Sequence, residues 1–124
     1  GHETGDRVIQ QVARILDRMF RTSDVVARTG GEEFLLVLPN TDLETARILA
    51  ERIRLSIGEH PLLVEQQRIP VTISLGVAAT VGNVDLDELY DEADRAMYIA
   101  KRGGRNRVAS VEHKPVQLGA ADGN

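Results

Sequence analysis

The sequence predicts an α+β domain in which one antiparallel sheet carries packed helices. Three observations support that class. Apolar residues switch along the chain between helical spacing and strict alternation. Capping residues and glycines punctuate the switches. A glycine-rich tip sits between two short apolar runs, which is a hairpin signature. The order read from the chain is α, β-hairpin, α, β or ββ, α, β.

From Asp6 to Phe20, the residues Val8, Ile9, Val12, Ile15, Leu16 and Met19 recur at helical spacing and form one buried stripe. Residues 25–28 and 34–38 then read as strands, and Pro39-Asn40 closes the second. Thr41 is expected to cap a helix, with Glu44 completing a capping box. Leu43, Ala46, Ala50, Ile53 and Ile57 form its stripe, and Gly58 ends it. Residues 62–68 read as a short strand. Residues 70–79 read as a better one, because Val71, Ile73, Leu75 and Val77 alternate with Thr72, Ser74 and Gly76. Asp85 with Glu88 caps the last helix, whose core stripe is Leu86, Leu89, Ala93, Ala96, Met97 and Ala100. Gly103-Gly104 stops it, and residues 106–111 form a final strand. One domain is expected over residues 1–112. Residues 113–124 are poor in large apolar side chains and are expected to form a flexible tail.

The chain has 124 residues, enough for one core, with 42% apolar and 27% charged residues. Only 3% are aromatic, so Leu, Ile, Val and Ala must fill the interior. The absence of cysteine excludes a disulfide framework and a thiolate metal site. His2, His60 and His113 do not cluster, which argues against a histidine site. No apolar run approaches the roughly 20 residues that span a bilayer, so no membrane contact is expected from this segment. A net charge of −4 argues against a nucleic-acid polymer as partner. It leaves a phosphate ligand open, because local Arg and Lys decide that.

Residues 28–34 read Arg-Thr-Gly-Gly-Glu-Glu-Phe. Glycines let the backbone turn tightly and let a ligand approach it. The adjacent carboxylates offer the oxygens a hard cation takes. Taken alone, such a tip is a solvated turn. However, Gly30-Gly31-Glu32-Glu33-Phe34 resembles the signature loop of the GGDEF family, the diguanylate cyclases, in its Glu-Glu form. The resemblance runs from Gly1 to about Val108. Gly1-His2-Glu3-Thr4-Gly5-Asp6 is similar to the family's Gly-His-x-x-Gly-Asp, and residues 91–98 are similar to its closing helix.

The resemblance implies a palm-like fold of the nucleotidyl cyclase type. It implies that two GTP molecules are joined into cyclic di-GMP with release of pyrophosphate, using Mg²⁺ or Mn²⁺, in the bacterial cytoplasm. Each family site holds one GTP, so a second copy of the domain is the expected partner, in a two-fold homodimer. The family's first strand, with a metal-binding Asp, precedes its Gly-His. The expectation is therefore that this chain lacks that strand, is inactive by itself, and self-associates or rearranges its sheet at the vacant position.

By the same resemblance, Glu33 is a metal ligand and Glu32 lies beside the 3′-hydroxyl. Gly30 and Gly31 let the hairpin lie close to the nucleotide. Asp6 reads guanine, whose N1–H and N2–H₂ a carboxylate accepts together; on spacing alone it is an N-cap or first-turn acid. Lys101 and Arg105 take the terminal phosphates, although cations at a helix C-terminus also complement the helix dipole. Arg21 and Asp24 match an Arg-x-x-Asp site that binds cyclic di-GMP and inhibits the enzyme, and Arg52 matches a further arginine of that site. Met97 and Tyr98 are expected in the core.

Two other readings compete with the cyclase. One is a non-catalytic receptor that holds cyclic di-GMP at Arg21 and Asp24. The other is a cyclase acting on a single nucleotide, whose adenine-specific form Asp6 disfavours.

Overall fold

The computed structural model describes residues 2–19, 25–28, 34–82 and 85–111. Helix α1 (His2–Met19) buries Val12 and Leu16, with Val8, Ile15 and Met19 packed beside them. It starts before the expected Asp6. Gly5 costs a helix only about 1 kcal/mol relative to Ala, and at this exposed position it does not stop the helix. Asp6 is therefore an exposed residue inside the helix and not its cap.

Strands β1 (Val25–Arg28) and β2 (Phe34–Val37) pair antiparallel, with Val25 opposite Val37 and Arg28 opposite Phe34. The expected hairpin ladder is present, and its tip, residues 29–33, lies outside the described residues. Pro39 and Asn40 turn the chain, with Asn40 at φ 55°, a left-handed conformation that Asn tolerates.

Helix α2 (Leu43–Gly58) is capped by Asp42 and not by Thr41. The Thr41 hydroxyl donates instead to the Pro39 carbonyl at 3.0 Å. The Asp42 carboxylate accepts the Thr45 backbone N–H at 2.7 Å. That bond, with help from the Thr45 side chain, holds the Asp42 carboxyl below its usual range. Glu44 then falls in the first turn, where a negative charge suits the helix dipole. Ala50, Ile53 and Ile57 are buried as their spacing requires.

The segment expected as one strand over residues 62–68 is a hairpin of β3 (Leu62–Val64) and β4 (Gln67–Ile69). Glu65 and Gln66 turn it with φ of 52° and 68°. Neither residue signals a primed turn, so the sequence hid it. Two contacts to α1 hold it: Arg7 pairs with Glu65, and Gln11 donates to the Leu63 carbonyl. Leu62 and Val64 face inward and Leu63 outward, as alternation demands. Val12, Leu16, Ile53, Ile57, Leu62 and Val64 form one core cluster between α1, α2 and β3.

The expected strand over residues 70–79 contracts to β5 (Leu75–Val77), although Val71 and Ile73 still pack on the core. Helix α3 (Leu86–Arg102) starts at Asp85, whose carboxylate accepts the N–H groups of Asp87 and Glu88. The chain then returns as β6 (Val108–Ser110), parallel to β5, with Gly76 opposite Ala109. A helix between two parallel strands is the connection such a pair requires. The α+β class holds. Among the described residues, the strands form three two-stranded ladders, two antiparallel and one parallel.

Helix α3 lies on β5 with almost nothing between the backbones. A Cβ placed on Gly76 would sit 2.2 Å from both the Ala93 carbonyl oxygen and the Met97 nitrogen. Ala96 and Ala100 are fully buried, so short side chains continue this contact toward the C-terminal end of the helix. Two expected core positions fail on this helix. Leu86 is 67% exposed, because it stands at the first helical position, well before the stretch that meets β5. Tyr98 is 61% exposed. It follows Met97 by about 100° around the helix and so leaves the buried face. Its ring lies 5.8 Å from the Arg102 guanidinium carbon instead.

Gly76→Ala should destabilise the fold on the order of 3 kcal/mol, since backbone and not a flexible side chain must move. Gly5→Ala meets nothing within 4 Å and should be neutral or stabilising by up to about 1 kcal/mol. Denaturant unfolding of the two variants checks the contrast, and equal stability would remove the close-contact argument.

Candidate functional site

The C-terminal end of α3 carries Lys101 and Arg102, both exposed. Gly103 donates its N–H to the Ile99 carbonyl at 2.9 Å, and Gly104 turns the chain at φ 126°. Arg105 and Asn106 then follow at φ 62° and 47°. Two successive side-chain-bearing residues in the left-handed region cost about 1–2 kcal/mol each, less for Asn, so other contacts must hold the turn.

Those contacts come from several parts of the chain. The Arg105 N–H donates to the Ala100 carbonyl at 3.0 Å. The Asn106 N–H donates to Ser74 Oγ at 3.1 Å. Arg107 Nε donates to the Arg105 carbonyl at 3.1 Å, and the Arg107 carbonyl accepts from Leu75 N–H at 3.0 Å, joining the loop to β5. From α2, Arg54 Nη1 donates to Asn106 Oδ1 at 3.0 Å. The turn is thus fixed while the Lys101 and Arg105 side chains remain exposed. Two cations four residues apart at a fixed helix end can take an extended polyphosphate: Lys acts as a point charge and Arg as a planar fork.

The electrostatics centre on Arg54 and Glu51. Arg54 Nε donates to both carboxylate oxygens of Glu51, at 2.5 and 2.9 Å. That hydrogen bond, more than the charge of Arg54, holds the Glu51 carboxyl below its ordinary range, and Glu51 raises Arg54 in turn.

The remaining sequence-predicted residues divide into two groups. Asp6 is exposed on α1, which packs on β3 and α2, whereas Lys101 lies in the last turn of the helix that packs on β5 and β6, and Arg105 lies in the turn after it. Arg52 is exposed on α2, next to the buried Ile53. Gly30, Gly31, Glu32, Glu33, Arg21 and Asp24 lie outside the described residues. The β1–β2 register sets Arg28 opposite Phe34, the described residues on either side of the Gly30–Glu33 segment in the sequence. Among the described residues, no group of three or more His, Asp or Glu side chains is placed to hold a metal ion, and Glu33 lies outside them. Sequence reasoning missed Arg54 and Asn106. The only signal was an Asn after Gly-Gly-Arg, a residue that tolerates left-handed backbone.

The fold, helices laid on short strands, is similar to that of solved cyclase domains. The active GGEEF domain of a diguanylate cyclase from Vibrio cholerae matches 92% of this chain and 72% of its own at 37% identity, with a TM-score of 0.78. The GGDEF domain of DgcB from Caulobacter crescentus, solved in complex with c-di-GMP, matches 89% of this chain and 66% of its own at 34% identity, with a TM-score of 0.81. The family pattern described as "Diguanylate cyclase, GGDEF domain" covers residues 1–107, and the chain belongs to that family. Among relatives, diguanylate cyclase DgcM of Escherichia coli is 48% identical over 112 residues, 90% of this chain. Diguanylate cyclase A of Treponema denticola is 43% identical over 111 residues, 87% of this chain. This chain spans 26% and 29% of the lengths of those two proteins. No described helix is long and apolar enough to cross a membrane.

The Glu51–Arg54 link should carry a pH signature. A lowered carboxyl pKa contributes stability that is present above the ordinary value of 4.5 and lost as pH falls through the lowered one. The Tm difference between the wild type and Glu51→Gln should therefore be constant from neutral pH down to that ordinary value and shrink below it. Thermal melts across that range check the sign, and a difference that grows on acidification would contradict it.

Proposed function

We propose that this chain is the catalytic domain of a diguanylate cyclase, condensing two GTP molecules into cyclic di-GMP and pyrophosphate in the bacterial cytoplasm. The observation that carries this reading is the family match over residues 1–107 with Gly30-Gly31-Glu32-Glu33 intact within it. The fixed basic turn with exposed Lys101 and Arg105 supports it from the structural side.

In this reading Lys101 and Arg105 bind the terminal phosphates, which hold the leaving pyrophosphate in line. The Asp6 carboxylate accepts the N–H donors of guanine. Gly30 and Gly31 let the hairpin approach the nucleotide, and Glu32 receives the proton of the attacking 3′-hydroxyl. Glu33 holds a divalent ion, Mg²⁺ or Mn²⁺, which when bound neutralises charge on the transferring phosphoryl group. The 3′-oxygen then bonds to the α-phosphorus of the other GTP, and the bond to pyrophosphate breaks. Because the product joins two nucleotides, two domains must face each other across a two-fold axis. Arg21, Asp24 and Arg52 form a product site that slows turnover: Arg suits phosphate and stacks on guanine, and Asp accepts its donors.

Incubating the full-length protein with GTP and Mg²⁺, and identifying the product, tests the reading. Cyclic di-GMP binding without GTP turnover would make the domain a receptor instead. Glu33→Ala should lower the rate on the order of 100-fold, as loss of other charge-stabilising groups does; near-normal turnover would reduce Glu33 to a turn residue. Arg21→Ala should weaken cyclic di-GMP binding, read by calorimetry, and leave the initial GTP rate largely intact. Unchanged affinity would remove the product site from this position.

A further inference from the structure

We infer that Arg54 is a positioning residue for the loop that binds the GTP phosphates. The inference rests on the reading of Arg105 as a phosphate ligand and names what holds Arg105 in place. Arg105 and Asn106 both adopt left-handed backbone, at φ 62° and 47°, a pair of conformations that a free loop would leave. Arg54 reaches this pair from a helix 52 positions away in sequence. Its Nη1 donates to Asn106 Oδ1 at 3.0 Å and lies 3.5 Å from the Asn106 carbonyl oxygen.

The guanidinium is itself held. Its Nε donates to both oxygens of Glu51, one turn earlier on α2, so one edge is fixed on the helix and the other is presented to the loop. A lysine could not do both, because its ammonium is a single point and not a planar fork. The helix beneath is anchored, since the neighbouring Ile53 and, one turn on, Ile57 are buried in the core cluster. The path from core to phosphate ligand is therefore Ile53 and Ile57, α2, the Glu51–Arg54 pair, Asn106 and Arg105.

An ordinary surface ion pair contributes little, and the Glu51–Arg54 pair alone would be one. Two facts separate Arg54 from that case. Its side chain is 22% exposed while that of Glu51 is 41% exposed. Its second partner is a residue whose backbone conformation needs support. The other restraints on the turn, from Ser74 and Arg107, bind its backbone N–H and carbonyl groups. Among the described contacts, only Arg54 grips the Asn106 side chain.

Steady-state kinetics of the full-length protein with GTP and Mg²⁺ test the inference. Arg54→Ala should raise KM for GTP about tenfold while kcat changes little, because the phosphate ligand loses its placement and not its chemistry. A purely structural role would instead lower the active fraction, and so the apparent kcat, at constant KM. Asn106→Gly removes the closer acceptor, Oδ1, while keeping left-handed backbone easy, so it should reproduce the KM rise even if Arg54→Ala folds poorly. The double variant should be no worse than either single variant. Arg105→Ala serves as the reference. If it leaves KM unchanged, the phosphate reading itself falls. If it raises KM while Arg54→Ala and Asn106→Gly both leave it unchanged, the positioning inference is overturned.

Discussion

Much of this structure depends on the contact between the backbone of α3 and β5 at Gly76. The space for one methyl group does not exist there, because the Ala93 carbonyl oxygen and the Met97 nitrogen would each lie 2.2 Å from it. Dispersion between close-packed atoms is small for each pair and large in sum, so a helix laid this near a strand is held over its whole contact face. Ala96 and Ala100 continue the same face with side chains short enough to permit it. The position of α3 then decides where the chain returns, and the return is β6, parallel to β5. The turn between α3 and β6 inherits its location from that pairing, since the Arg107 carbonyl accepts the Leu75 N–H.

The basic turn shows how an unfavourable backbone persists. Arg105 and Asn106 remain left-handed because the ends of the turn are fixed by α3 and β6, and its middle is bonded to Ser74 and Arg54. Each bond is modest alone, about 1 kcal/mol net. Together they support the turn in a conformation in which Lys101 and Arg105 are exposed. Rigid support beneath exposed cations is what phosphoryl transfer asks of a protein, since the chemistry needs placement and charge more than covalent participation.

Much of the fold was legible before the structure. The stripes Val12–Leu16 and Ala50–Ile53–Ile57 are buried as their spacing required, because a helix converts sequence period directly into a face. Asp85 and Gly103 cap α3 as read, since capping depends on residues within one turn. The errors were also local. The cap of α2 moved from Thr41 to Asp42, because the hydroxyl found the Pro39 carbonyl and the neighbouring carboxylate found Thr45 N–H. The strand expected over residues 62–68 folded back on itself at Glu65-Gln66, a turn without glycine that contacts from α1 hold. Of the candidate site, Lys101 and Arg105 were legible as a cationic helix end, and the β1–β2 ladder that flanks the Gly30–Glu33 motif in sequence was legible as paired strands.

The sequence by itself determined the helices, the β1–β2 hairpin and the family motif, because each is written in residues a few positions apart. Tertiary structure alone decided the parallel pairing of β5 with β6, the role of Gly76, the exposure of Tyr98 and Leu86, and the bond from Arg54 to Asn106. These features depend on which distant segments meet and how closely. Gly76 reads as an ordinary alternating position until a helix backbone lies on it. Arg54 stands out in no local pattern, and its acceptor comes from a loop 52 residues away. Which distant segments meet, and how closely, is a property of the packed chain that no local pattern encodes.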